Sequence, residues 1–235
     1  MSIDLQSPPT MLPPLVNGEH LSREEFERRY EAMPDVRAEL LEGVVYLMSS
    51  PVSRFHGSPH ADIIGWLVFY RSQTPGCLVD DNVTFRLDSR NEPQPDAMLT
   101  VAEEFGGTAR TDADGFVEGS PELIVEIAVT SVRTDARIKK PIYQRNGVKE
   151  YLIWRVEDHQ IDWFILRNNQ YEILPSGEDG ILRSEAFPGL WLDPAAMIAL
   201  DIARTLQVLA RGLASPDHAN FVQQLEQQRS ARQQP

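Results

Sequence analysis

One charged residue inside an apolar strand constrains this chain more than any other feature of its sequence. The segment PELIVEIAVTS, residues 121–131, is rich in β-branched apolar residues and predicts a buried β-strand. Glu126 lies in the middle of that segment. A glutamate is almost never fully buried unless it is paired or bound to a metal. The fold therefore has to bring a cation, a hydrogen-bond donor or a proton to this strand.

The order of the remaining elements predicts an α/β (α+β) fold, a mixed sheet with helices packed on it. We expect helices at 22–33, 60–72, about 130–145 and 194–213, a hairpin at Glu42-Gly43, and strands at 78–87, 96–101, 149–156, 158–166 and 170–176. The predicted domains are a Pro-rich arm at 1–19, one domain at 20–193 with a surface loop at 102–120, and a C-terminal helix and polar tail at 194–235.

Composition limits the classes of function. The chain has 235 residues and a single cysteine, so no internal disulfide forms and a reducing cytoplasm is the expected location. Its N-terminus does not have the pattern of a signal peptide, and no apolar stretch is long enough to cross a bilayer, so no membrane is expected as a partner. The net charge of −13 argues against a broad basic surface for nucleic acid but leaves room for a local one.

Asp96 is the first candidate partner of Glu126. It follows Pro95 and opens the strand that precedes the Glu126 strand in sequence. Sequential strands are often neighbours, and two carboxylates at one point repel unless one is protonated or a divalent cation lies between them. Magnesium prefers such a ligand set. Taken alone, Asp96 also suits a turn, and Glu126 also suits an edge position or a pair with a lysine.

A second candidate is a stripe on the helix that follows. Asp135, Lys139 and Tyr143 are spaced i, i+4, i+8 and lie on one helical face, unless Pro141 kinks that helix. The stripe is either a surface ion pair or a means of holding the Lys139 ammonium over the carboxylates. Residues 131–150 also hold six basic and two acidic residues, which suits a phosphate-binding rim or an ordinary solvated helix.

Several segments together resemble one family. EGVVYLMSSP, His56-Gly57, PDAMLT, ELIVEIAVTS, the helical stripe and GVKEYLIWRV are similar, in order and spacing, to the Uma-two family of restriction-endonuclease-like proteins in the PD-(D/E)XK nuclease superfamily. The resemblance covers roughly residues 24–192 and implies a central mixed sheet flanked by helices, with the site at one edge.

The resemblance also implies roles for residues. Pro95-Asp96 matches the PD element and Glu126 the acidic residue of (D/E)XK, whereas Ala128 stands where the lysine is expected and Lys139 matches a lysine supplied from the next helix. Glu39 matches a glutamate that completes the metal site, although it suits a pair with Arg37 or with a lysine across the hairpin equally well. His56 matches a histidine at the start of the long helix, although a histidine in such a position is more often a helix-start or packing residue than a ligand.

The main hypothesis is a metal-dependent endonuclease that hydrolyses DNA phosphodiester bonds. Asp96 and Glu126, with Glu39 and the backbone carbonyl of Ile127, would hold Mg²⁺ or Mn²⁺, and Lys139 would position the attacking water. The alternative is a non-catalytic binding or regulatory module on a nuclease scaffold. A third hypothesis is a nuclease-like subunit that assembles through its C-terminal helix. Under this hypothesis the chain forms a homodimer.

Overall fold

The computed structural model describes residues 12–48, 53–129 and 131–232. The strands in these residues are β1 (Ala38–Leu41), β2 (Val44–Leu47), β3 (Cys77–Asp81), β4 (Phe85–Arg86), β5 (Ala97–Val101), β6 (Arg110–Thr111), β7 (Val117–Glu118), β8 (Leu123–Ala128), β9 (Glu150–Arg155), β10 (Gln160–Arg167), β11 (Gln170–Ile173), β12 (Leu182–Arg183) and β13 (Trp191–Leu192).

The helices in the same residues are α1 (Arg23–Tyr30), α2 (Arg54–Arg71), α3 (Val132–Thr134), α4 (Lys140–Arg145), α5 (Pro194–Ile198), α6 (Ile202–Leu213) and α7 (Pro216–Arg232). A 3-10 helix spans Glu103–Phe105, and a π-helix spans Asp135–Lys139 between α3 and α4. Among the described residues, no helix is both long enough and apolar enough to cross a membrane.

A six-stranded mixed sheet forms the centre of the fold, in the order β11-β10-β9-β8-β5-β3. The β8–β9 pair is parallel and the other pairs of this sheet are antiparallel. Strand β8 is buried along its whole length, as expected for a strand covered on both faces. The predicted α/β class, a central mixed sheet flanked by helices, is confirmed.

Alternation along β8 divides the core into two layers. Leu123, Val125 and Ile127 pack with Trp66 of α2 in one cluster of buried residues. Ile124 and Ala128 belong to a second cluster, with Ile142 and Tyr143 of α4. Because side chains alternate between the faces of a strand, Glu126 points to the same side as Ile124 and Ala128, toward the π-helix and α4.

The strand predicted at 78–87 is divided into β3 and β4, which belong to different sheets. Three other predictions of secondary structure also differ from the structure. Helix α2 begins at Arg54 rather than near residue 60, even though it contains Pro59. The predicted loop at 102–120 contains the 3-10 helix and two short strands, β6 and β7, and β7 pairs with β4.

The third difference lies in the C-terminal region. The prediction of a single helix over 194–213 is wrong, because Leu200 adopts a left-handed φ of 56° and the Asp201 side chain caps a new helix after it. In the last twenty residues, which are rich in Gln and predict a frayed or partner-binding helix, the structure has the 17-residue helix α7, and this helix buries Leu225.

Candidate active site

Asp96 and Glu126 lie on paired strands. Strands β5 and β8 are antiparallel neighbours, as predicted, and Ala97 pairs with Val125. If this antiparallel register is continued by one residue, Asp96, which directly precedes β5, lies opposite Glu126. Residues directly opposite in an antiparallel pair point to the same face, so both carboxylates lie on the side of the sheet that carries the π-helix.

The Lys139 ammonium lies among three carboxylates. Its Nζ is 2.7 Å from Glu39 Oε1, 2.9 Å from Glu126 Oε1 and 3.7 Å from Asp135 Oδ1. All four residues are at most 4% exposed. We call these four residues the acid–lysine cluster. The cation that buried Glu126 requires is therefore Lys139, delivered from the segment that follows its own strand.

The π-helix explains how the predicted stripe reaches the sheet despite the proline. Pro141 has no N–H, so the α-helical bond to the carbonyl of residue 137 cannot form, and the turn before it is wider than an α-helix. The Ser131 hydroxyl donates to Asp135 Oδ2 at 2.5 Å, and the Tyr143 hydroxyl donates to Glu126 Oε1 at 3.0 Å. Both ends of the stripe are thereby fixed against the cluster.

The pKa values of the cluster residues depend on their burial and on the charges that surround them. Burial lowers the pKa of Lys139, but the surrounding carboxylates outweigh burial and hold that pKa well above its usual range. Burial raises the pKa of Glu126 well above its usual range, and Lys139 offsets only part of this effect. Burial likewise raises the pKa of Asp135. Three carboxylates share one ammonium, so the cluster retains an excess of negative charge.

Asp96 lies beside the cluster in a different environment. Its Oδ2 accepts a hydrogen bond from the Ile127 N–H at 2.6 Å, and its Oδ1 is 3.1 Å from His56 Nε2. Burial pulls the pKa of Asp96 upward, but the contacts with His56 and the Ile127 N–H outweigh it and lower that pKa. The hydrogen bond to Asp96 raises the pKa of His56. Asp96 is therefore ionised at neutral pH.

The site opens toward solvent at the Asp96–His56 end. The side chains of Asp96 and His56 are 14% and 26% exposed, compared with 4% for Lys139. His60 lies one helical turn after His56, and its Nε2 is 2.9 Å from the Asp96 carbonyl oxygen. Sequence reasoning missed His60, although its i, i+4 spacing from His56 on a helix was a usable signal.

The structure brings all the predicted side chains to one place. Glu39 arrives from β1, where Oε1 also accepts the Gln94 backbone N–H at 2.7 Å, and it does not pair with Arg37. Ile127 contributes its N–H to Asp96, and its side chain packs in the core. The described residues contain no group of three or more His, Cys, Asp or Glu arranged to hold a metal ion.

The family match and the fold define the chain as a nuclease-like α/β protein. It belongs to the Uma2 family, described as "Putative restriction endonuclease", whose sequence profile matches residues 23–195. The predicted family is confirmed.

A solved structure supports the same fold. It is a crystal structure described as a "putative nuclease belonging to DUF820" from Anabaena variabilis, with a TM-score of 0.56 and 12% sequence identity. The similarity covers 73% of this chain and 97% of that one. A search of curated proteins gives no match.

Proposed function

We propose that this chain is an endonuclease that hydrolyses DNA phosphodiester bonds with the help of a divalent cation. The supporting observation is the convergence of Asp96, Glu126 and Lys139 on one face of the central sheet, at β5 and β8. The description of the family as putative restriction endonucleases supports DNA as the substrate.

The donor set fits magnesium or manganese. Mg²⁺ is usually bound through one or two carboxylates, with waters and substrate phosphate oxygens in its remaining positions, so a group of three protein side chains is not required. Asp96 and Glu126 supply that pair, and Glu39 and the Ile127 carbonyl would add oxygens. Among the described residues, no hydrogen-bond donor reaches Oε2 of Glu126 or Oε2 of Glu39, so each keeps one oxygen for a cation.

Asp96 and Lys139 would then have different roles in the reaction. A bound divalent cation would lower the pKa of a water molecule bound to it and would neutralise charge on the scissile phosphate. Asp96 is ionised and fixed by the Ile127 N–H, so it offers a rigid anionic ligand at the open end of the site. Lys139 holds a positive charge beside Glu126, where it would orient the attacking water and stabilise the transition state.

One observation favours the alternative of a non-catalytic binding module. Lys139 already contacts three carboxylates and is 4% exposed, as a purely structural ion-pair network would be. In that case the cluster would hold the π-helix and β1 against strand β8, and DNA would bind without being cleaved.

Metal binding and cleavage separate the two functions. We expect calorimetric titration with Mn²⁺ to show binding to wild type and loss of binding in Asp96→Asn. We also expect plasmid and duplex oligonucleotides to be cleaved by wild type with Mg²⁺ or Mn²⁺, and not in EDTA. Asp80→Asn is the matched control, because Asp80 lies half-buried on β3 of the same sheet.

The lysines provide a second control. Lys139→Met should abolish cleavage, whereas Lys140→Ala should have a much smaller effect, because Lys140 lies 3.5 Å over the Phe164 ring, away from the carboxylates. Equal manganese binding by wild type and Asp96→Asn, with no cleavage by either, would establish the binding module instead.

A further inference from the structure

A cavity of about 380 Å³ lies beside the N-terminus of α2, and we call it the α2 pocket. Six apolar residues line it: Phe55, Pro59, Trp154, Val156, Ile198 and Leu200. Arg54, Ser58 and His159 complete the lining. Its volume lies in the range of about 300–1,000 Å³ that is typical of ligand pockets, and so does its lining of apolar groups with few polar ones.

Two of the apolar residues are held in positions that folding alone does not favour. Phe55 is 74% exposed, the highest value among the large apolar residues that the structure describes as exposed, and Leu200 is 46% exposed. Leu200 also has a left-handed φ of 56°. A glycine or asparagine would hold that turn at a lower cost. The leucine at this position therefore indicates a use for its side chain at the pocket.

The pocket and the candidate active site lie on adjacent faces of the same helical turn. Phe55 and Pro59, four residues apart, line the pocket. His56 and His60, also four residues apart, contact Asp96. Successive residues of an α-helix are rotated by about 100° about its axis. Phe55 and His56 therefore lie on adjacent faces of α2, and a DNA strand bound at Asp96 could pass around the helix to reach Phe55.

The charge of the lining distinguishes the pocket from the rest of the chain. The protein has 35 acidic residues and a net charge of −13, yet none of the nine lining residues is acidic. Arg54 makes no ion pair with any described residue. The lining therefore suits a flat apolar group attached to an anion. Nucleobases joined to phosphates have this chemistry, and they stack on aromatic rings and arginines.

We propose that the α2 pocket binds one unpaired nucleobase of a DNA strand, stacked on Phe55, with an adjoining phosphate at Arg54. A base inside a duplex cannot enter a pocket of this kind, so the strand must be single or the base flipped out. The substrate class is then DNA with unpaired bases. The inference rests on the proposed function for the substrate, but it concerns binding and not hydrolysis.

The test measures binding in EDTA, where cleavage does not interfere. Fluorescence anisotropy at one fixed salt concentration would compare a single-stranded oligonucleotide with its duplex, because salt alone changes such affinities. We expect Phe55→Ala to weaken single-strand binding by about fivefold to a hundredfold, and Phe55→Trp to restore it. Phe69→Ala is the matched control, since Phe69 is 37% exposed at the far end of α2.

A spectroscopic signature identifies the base itself. With 2-aminopurine at successive positions of the strand, we expect one position to change its emission on binding to wild type and to lose that change in Phe55→Ala. Equal effects of Phe55→Ala and Phe69→Ala, or no binding of single strands, would overturn the proposal. So would a wild-type dimer that Phe55→Ala dissociates while DNA affinity is unchanged, because a second copy of the chain would then be the occupant.

These outcomes are distinct from a failure of the proposed function. Phe55-dependent binding without cleavage under any metal would leave the base pocket intact and refute the endonuclease. Cleavage of duplex DNA, together with DNA binding that does not depend on Phe55, would support the endonuclease and refute the base pocket.

Discussion

The acid–lysine cluster predicts an unusual asymmetry between its two central residues. Removing one partner of a buried ion pair is strongly destabilising whichever partner is removed, because it leaves an uncompensated buried charge. Here Lys139 has three carboxylate neighbours, whereas Glu126 has Lys139 as its ion-pair partner among the described residues. The two substitutions should therefore have very different effects on the free energy of unfolding.

Lys139→Met removes the only ammonium within 4 Å of Glu39, Glu126 and Asp135 among the described residues. Three carboxyl groups, all at most 4% exposed, then remain without a cation. Breaking a buried pair costs about 3–5 kcal/mol. In a chain of this length that loss lowers the melting temperature by on the order of 10 °C.

Glu126→Gln should be tolerated. It keeps the side-chain volume and an acceptor for the Tyr143 hydroxyl, and Lys139 still has Glu39 at 2.7 Å and Asp135 at 3.7 Å. It also removes a carboxyl whose pKa burial raises well above the usual range. We expect the free energy of unfolding to change by less than about 1 kcal/mol.

Urea denaturation followed by circular dichroism, in EDTA at pH 8, measures both effects on matched samples. Lys140→Ala controls for the loss of a lysine from the same segment. If Glu126→Gln destabilises the protein as much as Lys139→Met does, the cluster is a simple one-to-one ion pair, and the reasoning from shared charge is refuted.

Three further changes test other parts of the structure. Burial, with the neighbouring Glu27 carboxyl, raises the pKa of Glu92 to about 8, above its ordinary value of 4.5, so wild-type stability should fall as the pH rises between these values. Glu92→Gln should remove that fall and gain about 2–4 kcal/mol at pH 9, measured by urea denaturation across pH. Gly65→Ala, at an exposed position of α2, should stabilise the protein by roughly 1 kcal/mol in thermal melts, because no atom lies within 4 Å of the added Cβ. Gly107→Ala should instead lower stability by about 1–3 kcal/mol in the same melts, because its Cβ would lie 1.6 Å from the Val101 carbonyl oxygen. A flat pH profile in wild type, or equal shifts for the two glycine variants, would contradict these expectations.

The sequence predicts the fold well where the pattern of apolar residues is local and strong. Ser22 caps α1 by accepting the Glu25 N–H, as its spacing predicts, and the 150–167 region forms the expected hairpin. The neighbouring positions of the Asp96 and Glu126 strands also follow from chain order alone. These features depend on contacts between residues that are near in sequence or on strands that follow one another.

The sequence predicts less where one backbone conformation decides the outcome. Leu200 adopts a left-handed conformation that leucine rarely takes, and this conformation divides the predicted C-terminal helix. The polar helix α7 depends on its burial of Leu225 and on the His218–Thr74 contact at 2.9 Å, which spans 144 positions of the chain. Neither contact leaves a periodic signal in the sequence.

For the site, the sequence indicates which residue types converge but not how they share charge. The stripe of Asp135, Lys139 and Tyr143 was visible from spacing, and the structure directs it at Glu126. That Lys139 would contact three acids at once was not predictable, because Glu39 enters from a hairpin 100 residues earlier in the chain. The π-helix before Pro141 was equally hidden, since no short sequence pattern specifies it.

The parallel β8–β9 pair also sets an order of events during synthesis. Translation proceeds from the N-terminus at about 5–20 residues per second, so Glu39, Asp96 and Glu126 leave the ribosome before Lys139. Strand β8 cannot be buried in its final position until the crossover segment between β8 and β9 supplies the ammonium, because the carboxylates would otherwise lose their hydration without a counter-charge. Closure of the sheet and the arrival of the Lys139 ammonium at the cluster are therefore a single late step, and a nascent chain that stops before residue 139 has no assembled site.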